Sequence, residues 1–409
     1  MTMQLPIVVS DKMDSLVDDD FLAERKRLRV PKDLRAALNL ELDTYIYLRT
    51  KVGEIISLML STAYKEDAEK SSATAYATSE VVSLLTEGNY KHEIGKCETI
   101  TLGCDPEMLL VDRTNLGIFP ANKVFRKWSS CGSDGALLEF RPMPSTDEEV
   151  VVRNIYRMMI EARQTLAKGR TIYSGKIDGN NYCMMARSYY SPSGAQRGGQ
   201  TAGFHVHFGL PKPLLDWNIR PTHNQIVKVL DYYLGFPSLL VEGDTDYYRR
   251  IDRDLEYGKP GDYRPGQITL EYRVPGAALM KHPILAIGLL AMGGVVMEDI
   301  ISRVKHCTDN YTNLKEFSLD EHVHQLYPSI PPAMEIFRCI CSPTIAPIKS
   351  HMNVIRADME KMIGYGQRAK NIENFFRFVE HPETISENAE QNWRSFYEQG
   401  QQRSMEVLR

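Results

Sequence analysis

The chain has 409 residues, 43% hydrophobic and 25% charged, the balance of a soluble globular protein with one large domain or two ordinary ones. Its net charge is −4 at pH 7, with lysines and arginines scattered among acids, which gives no electrostatic case for sequence-independent binding of nucleic acid. Seven cysteines, odd in number and spread along the chain, fit reduced thiols in a cytoplasmic protein; Cys339 and Cys341 form a CxC with no second pair to complete a zinc site.

The first residues, MTMQLPIVVSDKMDSLVDDD, lack the basic start, long apolar run and small-residue cleavage site of a signal peptide. Residues 1–95 read as mostly helical after a loose start, because DLRAALNLELDTYIYLRTKVGEIISLML carries apolar residues at helical spacing. SSATAYATSE is a polar stretch that reads as a loop. From about 97 to 275 the pattern changes to short alternating segments between turn residues. ETITLGCDPEMLLVD, GIFPA, GALLEFRPMP, TIYSGKI, GFHVHFGL and QITLEYRVPG all read as strands. A helix interrupts them near 147–168, with Ser145 and Glu148 as a capping box and Gly169 as its stop. A second helix covers about 222–241. From 277 onward the chain reads as helical, with breaks at the prolines near 328–332 and 343–347 and a polar tail. The most apolar run, PILAIGLLAMGGVVM at 283–297, is shorter than the roughly 20 residues a bilayer needs and is followed at once by Glu298 and Asp299. It reads as a buried helix, and no membrane partner is expected. The expectation is an α+β fold on an antiparallel sheet flanked by helices, in three regions: 1–95, 96–306 and 307–409.

Four of the strands share one oddity. In TAGFHVHFGL, His205 and His207 lie on one face, about 6–7 Å apart, while Phe204, Val206 and Phe208 take the other. Asp105 and Glu107 share a face in GCDPEMLLVD, Glu139 and Arg141 in ALLEFRP, and Glu271 and Arg273 in ITLEYRV. Each strand thus has an apolar side suited to packing on helices and a side of acids, imidazoles and guanidiniums. An idle wet face carries Thr, Ser, Lys and Gln more often. Carboxylates and arginines at this density crowd unless a multivalent cation and an anion sit among them. The carboxylates suit Mg²⁺ or Mn²⁺, and imidazole is acceptable to Mn²⁺. Arginine grips phosphate or carboxylate in a bidentate way. Cation, arginine and carboxylate together are the equipment for handling a nucleoside triphosphate.

Three further segments bear on such a site. Residues 244–266 hold Arg249, Arg250 and Arg264 among glycines and prolines, either as a loop reaching over the sheet to phosphate or as a solvated surface loop. Residues 191–202, SPSGAQRGGQTA, run into the histidine strand and read as a lid or as an ordinary flexible loop. Lys123 and Lys127 are weaker candidates. No GxxxxGK[ST] or helix-opening GxGxxG is present, so a triphosphate site here is of another kind.

Between about 100 and 275 these motifs, in order and spacing, resemble the glutamine synthetase-like superfamily of carboxylate–amine ligases, and more narrowly the amidoligases encoded by bacteriophages. TLGCDPEMLLVD is similar to the glutamine synthetase strand with two metal-binding carboxylates, TAGFHVHFG to the strand with the HxH pair, and ITLEYRV to the ExR strand. GSDGALLEFRP is similar to the phage pattern. The first carboxylate is Asp105 where glutamine synthetases have Glu, and no stretch matches their ammonia site. The resemblance implies a curved sheet whose concave face binds ATP and divalent ions. It implies metal ligation by Asp105, Glu107, Glu139, His205 and Glu271, with His207 near the nucleotide together with Arg264 and Arg273. It implies that Arg141, Arg249, Arg250, Arg264 and Arg273 hold phosphate or the substrate carboxylate. The reaction implied joins a small-molecule or peptide carboxylate to an amine through an acyl phosphate. The alternatives are a guanidino-kinase-type phosphotransferase on the same fold, a metal-dependent hydrolase using HxH, and an inert phage structural or interaction protein. The helical flanks leave room for a homo-oligomer surface.

Overall fold

The structure is a computed structural model. It describes residues 3–407 except 86–90, 98, 169–170, 173–174, 177, 217–218, 252–257, 313, 315–318 and 382–387.

The N-terminal region overturns the expectation of a mostly helical segment. Six strands, β1 (Met3–Val9), β2 (Arg27–Val30), β3 (Tyr45–Arg49), β4 (Ile55–Thr62), β5 (Ala75–Ala77) and β6 (Lys91–Lys96), close into a barrel in the order β1-β5-β2-β4-β3-β6. The stretch that looked helical holds one short helix, Lys32–Ala37, and then β3 and β4. The physical reason lies in its turns. Asn39 and Asp43 sit at φ 51° and 57°, and Gly53 at 83°, left-handed positions that no continuous helix tolerates. β4 is buried on both faces at Ile56, Ser57, Leu58, Met59 and Leu60, so its apolar run carries no period of its own. Leu5, Leu28, Ile46, Leu48, Leu58 and Ile94 fill the barrel.

The next region is strand-rich, as expected. β7 (Thr101–Asp112), β8 (Ile118–Phe119), β9 (Cys131–Asp134), β10 (Leu137–Phe140), β13 (Tyr182–Met185), β16 (Phe204–Gly209), β17 (Tyr263–Pro265) and β18 (Leu270–Tyr272) form an eight-stranded sheet. Its main path runs β17-β18-β16-β7-β10-β9, every pair is antiparallel, and β8 and β13 pair with the far end of β7. Two small pairs lie outside it, β11 (Thr171–Ile172) with β12 (Gly175–Lys176) and β14 (Tyr189–Tyr190) with β15 (Gln200–Thr201). Parts of TIYSGKI, and Gly169, lie outside the described residues.

The rear of the sheet is apolar. Leu102, Met108, Leu138, Phe140, Phe204, Val206, Phe208, Leu270 and Tyr272 join one core with the helices Glu148–Ala167, Arg220–Leu230 and Pro283–Cys307. Each such side chain contributes about 1.5–3 kcal/mol by burial. The first of these helices is capped two residues after the expected N-cap Ser145: Asp147 accepts from the Glu149 amide, while the Ser145 hydroxyl accepts from the Asp147 amide. The second runs on through a π turn at Asp231–Gly235 into Phe236–Leu239. The apolar run at 283–297 opens a helix of 25 residues, longer than the run itself. By length and composition it is apolar enough to cross a membrane, yet 83% of its apolar window is buried inside the protein. All seven cysteines are free thiols.

The barrel is fastened to the sheet. Arg153 and Arg157 reach Glu54 at 2.9 and 2.8 Å, the Ser57 amide donates to the Pro144 carbonyl at 2.7 Å, and the Tyr45 hydroxyl bonds the Ile268 carbonyl.

Candidate active site

Alternation along the strands decides which side chains meet. On β7, Leu102, Cys104 and Met108 enter the core, so Thr101, Gly103, Asp105 and Glu107 face the other way. The register then aligns the rest. His205 lies opposite Asp105, Glu139 opposite Glu107, His207 opposite Glu271, and Arg264 opposite Glu271. Directly opposed side chains in antiparallel pairs have Cβ atoms about 5 Å apart, so adjacent strands deliver one cluster.

Three groups converge most closely. Ligand-type atoms of Asp105, His205 and Glu271 all lie within 4.8 Å of one another. His205 Nδ1 is 3.3 Å from Asp105 Oδ1 and 3.6 Å from Glu271 Oε1, and His207 Nε2 is 3.1 Å from Asp105 Oδ1. His207 Nδ1 faces the Thr269 hydroxyl at 3.3 Å. Arg264 donates to Glu271 Oε2 from Nε at 2.7 Å and from Nη2 at 2.6 Å, and Arg273 Nε lies 3.3 Å from Glu271 Oε1. Beside the cluster, Glu107 accepts from the Gly203 amide at 2.6 Å, and Arg141 pairs with Glu139 while donating to the Ser129 carbonyl at 2.8 Å.

The electrostatics follow from burial and neighbours. Burial pushes the Asp105 carboxyl up, but His207 and His205 outweigh it and hold it well below the usual carboxylate range. Burial lowers the His205 imidazole, yet Asp105, Glu107 and Glu271 bring it above the ordinary value. Glu107 is raised, chiefly by burial. Asp105 Oδ1 and Glu271 Oε1 are buried, and the groups nearest them are the imidazoles of His205 and His207 and the Arg273 guanidinium. Buried carboxylate oxygens are costly unless positive charge reaches them. Two carboxylates and an imidazole suit a divalent ion, so the donor set fits one.

The structure separates the predicted arginines. Arg141, Arg264 and Arg273 lie on the face with the acids. Arg249 and Arg250 do not belong with them, which corrects the expectation from sequence. They sit in a short helix, Tyr248–Ile251, and both are buried. Arg249 donates to the Val274 and Arg273 carbonyls at 2.7 and 2.9 Å, bracing the chain just after Glu271. Arg250 donates to the Ile340 carbonyl at 2.6 Å and pairs with Glu242. Their guanidiniums hold the fold. Residues 252–257 of the same loop lie outside the described residues. Lys127 stacks over Trp128 at 4.2 Å, and Lys123 is exposed.

One residue escaped the sequence reading. Lys26, at the edge of the barrel, lines a cleft with Tyr45, Thr101, Gly103, His207 and Thr269. Nothing in AERKRLRV distinguishes it from a surface lysine, because its placement depends on how the barrel docks.

A family model described as "Phage phiEco32-like COOH.NH2 ligase-type 2" matches residues 102–395. The chain belongs to this family. It is therefore a carboxylate–amine ligase. The match begins within β7, so the barrel precedes it. No curated protein matches the ligase. Among solved structures, a bifunctional glutathione synthetase from Pasteurella multocida shows 12% identity over 68% of this chain and 52% of its own, at a TM-score of 0.28; the ligase spans about half that protein's length. A glutamine synthase homolog shows 13% identity over 69% and 70%, at 0.30. A designed protein, apDPBB_sym_79, shows 19% identity over 24% of this chain and all of its own, at 0.19.

Proposed function

We propose that this ligase forms an amide from a carboxylate and an amine at the expense of ATP, through an acyl phosphate. The carboxylate oxygen attacks the γ-phosphorus and ADP leaves; the amine nitrogen then attacks the acyl carbon, and inorganic phosphate leaves as the C–N bond forms. Two anions have to meet, and only fixed positive charge makes that approach downhill. Asp105, His205 and Glu271 would hold Mg²⁺ or Mn²⁺, with Glu107 and Glu139 beside them; the ion supplies charge neutralisation to the phosphate oxygens. Arg141, Arg264 and Arg273 orient phosphate and carboxylate, and His207 sits at the nucleotide. The glycine-rich segment 191–202, which leads into β16, would serve as the lid that keeps water from the acyl phosphate.

The observation that carries the reading is the convergence of the Asp105 and Glu271 carboxylates on His205, on a face that also bears three arginines. The test is phosphate release from ATP with Mg²⁺ or Mn²⁺. It is expected only when a carboxylate and an amine are both supplied, and expected to vanish in His205→Ala and Glu271→Gln while the fold persists. Full turnover in both variants would remove the site from this face. A stable phosphorylated product made without amine would mark a phosphotransferase instead.

A further inference from the structure

We propose, building on the ligase reading, that Lys26 completes the active site from the barrel by gripping a non-bridging oxygen of the ATP phosphates.

Both neighbours of Lys26 in sequence have partners. Arg25 is buried in a pair with Glu80. Arg27 donates to the Ser61 hydroxyl at 2.8 Å and to Gln267 at 3.3 Å. Among the described residues Lys26 alone of the three has no hydrogen bond or ion pair for its side chain. Its backbone is fixed: the amide donates to the Ala23 carbonyl and the carbonyl accepts from the Met59 amide at 2.9 Å. The half-buried side chain enters the cleft between barrel and sheet, beside His207 and Thr269. Burial lowers its basicity, and so does Arg25, while the charges of Asp105 and Glu271 act in the opposite direction. An ammonium that senses both carboxylates without pairing with either is placed for a third party.

A compact ammonium with three donors suits an oxyanion. Between the two oxyanions of the reaction, charge selects phosphate. The substrate carboxylate loses its charge when it attacks, and a hydrogen bond from Lys26 would blunt it as a nucleophile. The phosphoryl group stays anionic from ATP through the acyl phosphate to free phosphate. One fixed cation therefore serves every step only if it holds phosphate. The opposing interpretation is that Lys26 merely balances the charge of Asp105 and Glu271.

Binding to the full-length protein separates the two. Wild type, Lys26→Met and Lys26→Arg are titrated by calorimetry with a non-hydrolysable ATP analogue plus Mg²⁺, with adenosine, and with Mn²⁺ alone; circular dichroism confirms folding. Lys26→Met is expected to weaken the analogue about ten- to hundredfold, the loss of one charge-assisted hydrogen bond. Lys26→Arg recovers most of this, and adenosine binding is equal in all three. Equal analogue affinity in wild type and Lys26→Met, with Mn²⁺ tightened in the variant, overturns the assignment and leaves charge balance. Equal loss of adenosine overturns it in favour of a structural role. A folded wild type that binds no analogue overturns the ligase reading and this assignment with it.

Discussion

His205 stands directly opposite Asp105 in the pairing of β16 with β7, its Nδ1 3.3 Å from the carboxylate Oδ1. Across the sheet's other neighbour the same nitrogen lies 3.6 Å from Glu271. Three strands thus share one nitrogen, and removing any member opens the cluster. If a divalent ion is held here, Mn²⁺ at one hundred times its Kd stabilises the folded chain by about 2.7 kcal/mol. A thermal melt with Mn²⁺ should show that rise, a chelator should reverse it, and Asp105→Asn should abolish it. An equal Mn²⁺ shift in Asp105→Asn would place the ion elsewhere.

Two glycines border the cluster with opposite tolerances. A Cβ on Gly203 would stand 2.3 Å from His205 Nε2, inside any permitted contact, whereas one on Gly103 would meet the His207 Cβ at 3.5 Å, an ordinary distance. His205 is 2% exposed and has nowhere to retreat. Gly203→Ala should therefore lose at least tenfold in ATP turnover and lose the Mn²⁺ shift, while Gly103→Ala keeps that shift within about 0.5 kcal/mol of wild type, the range of an unstrained substitution. Equal behaviour of the two variants would mean that the imidazole position does not matter.

The central sheet was legible because its strands are polar on one face and apolar on the other. The period-2 pattern of LEFRP, FHVHFG and LEYRV survives folding, and with it the partition of Glu139, His205, His207 and Glu271 from the core. The barrel was not legible. Ile55–Thr62 is buried on both sides and shows no alternation, and the left-handed turns at Asn39 and Asp43 look like ordinary polar residues in a helical stretch. Arg249 and Arg250 misled for the converse reason. A Gly- and Pro-rich neighbourhood suggested an open loop, but a single helical turn buries both guanidiniums against backbone carbonyls and Glu242. Lys26 carries no local signal at all, since its surroundings come from residues 45, 101, 207 and 269.

The arginines give a test that separates site from scaffold. The Arg264 side chain is 64% exposed and pairs with Glu271, whereas that of Arg250 is 3% exposed and pairs with Glu242. Arg264→Ala should lower ATP turnover tenfold or more with stability within about 0.5 kcal/mol of wild type. Arg250→Met strands Glu242 as a buried unpaired charge and should cost about 3–5 kcal/mol in urea unfolding. The reverse pattern, with Arg250→Met stable and inactive, would restore Arg250 to the site.

Behind the sheet, Asp231 ties the site to its support. Its carboxylate accepts from the Tyr272 hydroxyl and from the Gly261 amide, each at 2.8 Å, and so links β18 to the turn that carries Arg264. Burial pushes this carboxyl up to about 7, against the hydrogen bonds from Tyr272 and Gly261. The folded state therefore holds a proton that the unfolded chain releases near pH 4. The contribution is fully present below about pH 4 and is lost as pH rises through 7, because the unfolded state binds fewer protons across that window. At 1.36 kcal/mol per unit the total is on the order of 4 kcal/mol. Asp231→Asn keeps a neutral side chain at every pH and should flatten this component of the stability profile between pH 4 and 8. Urea unfolding of both proteins at half-unit steps measures it; parallel profiles for wild type and variant would show that Asp231 does not titrate in this range.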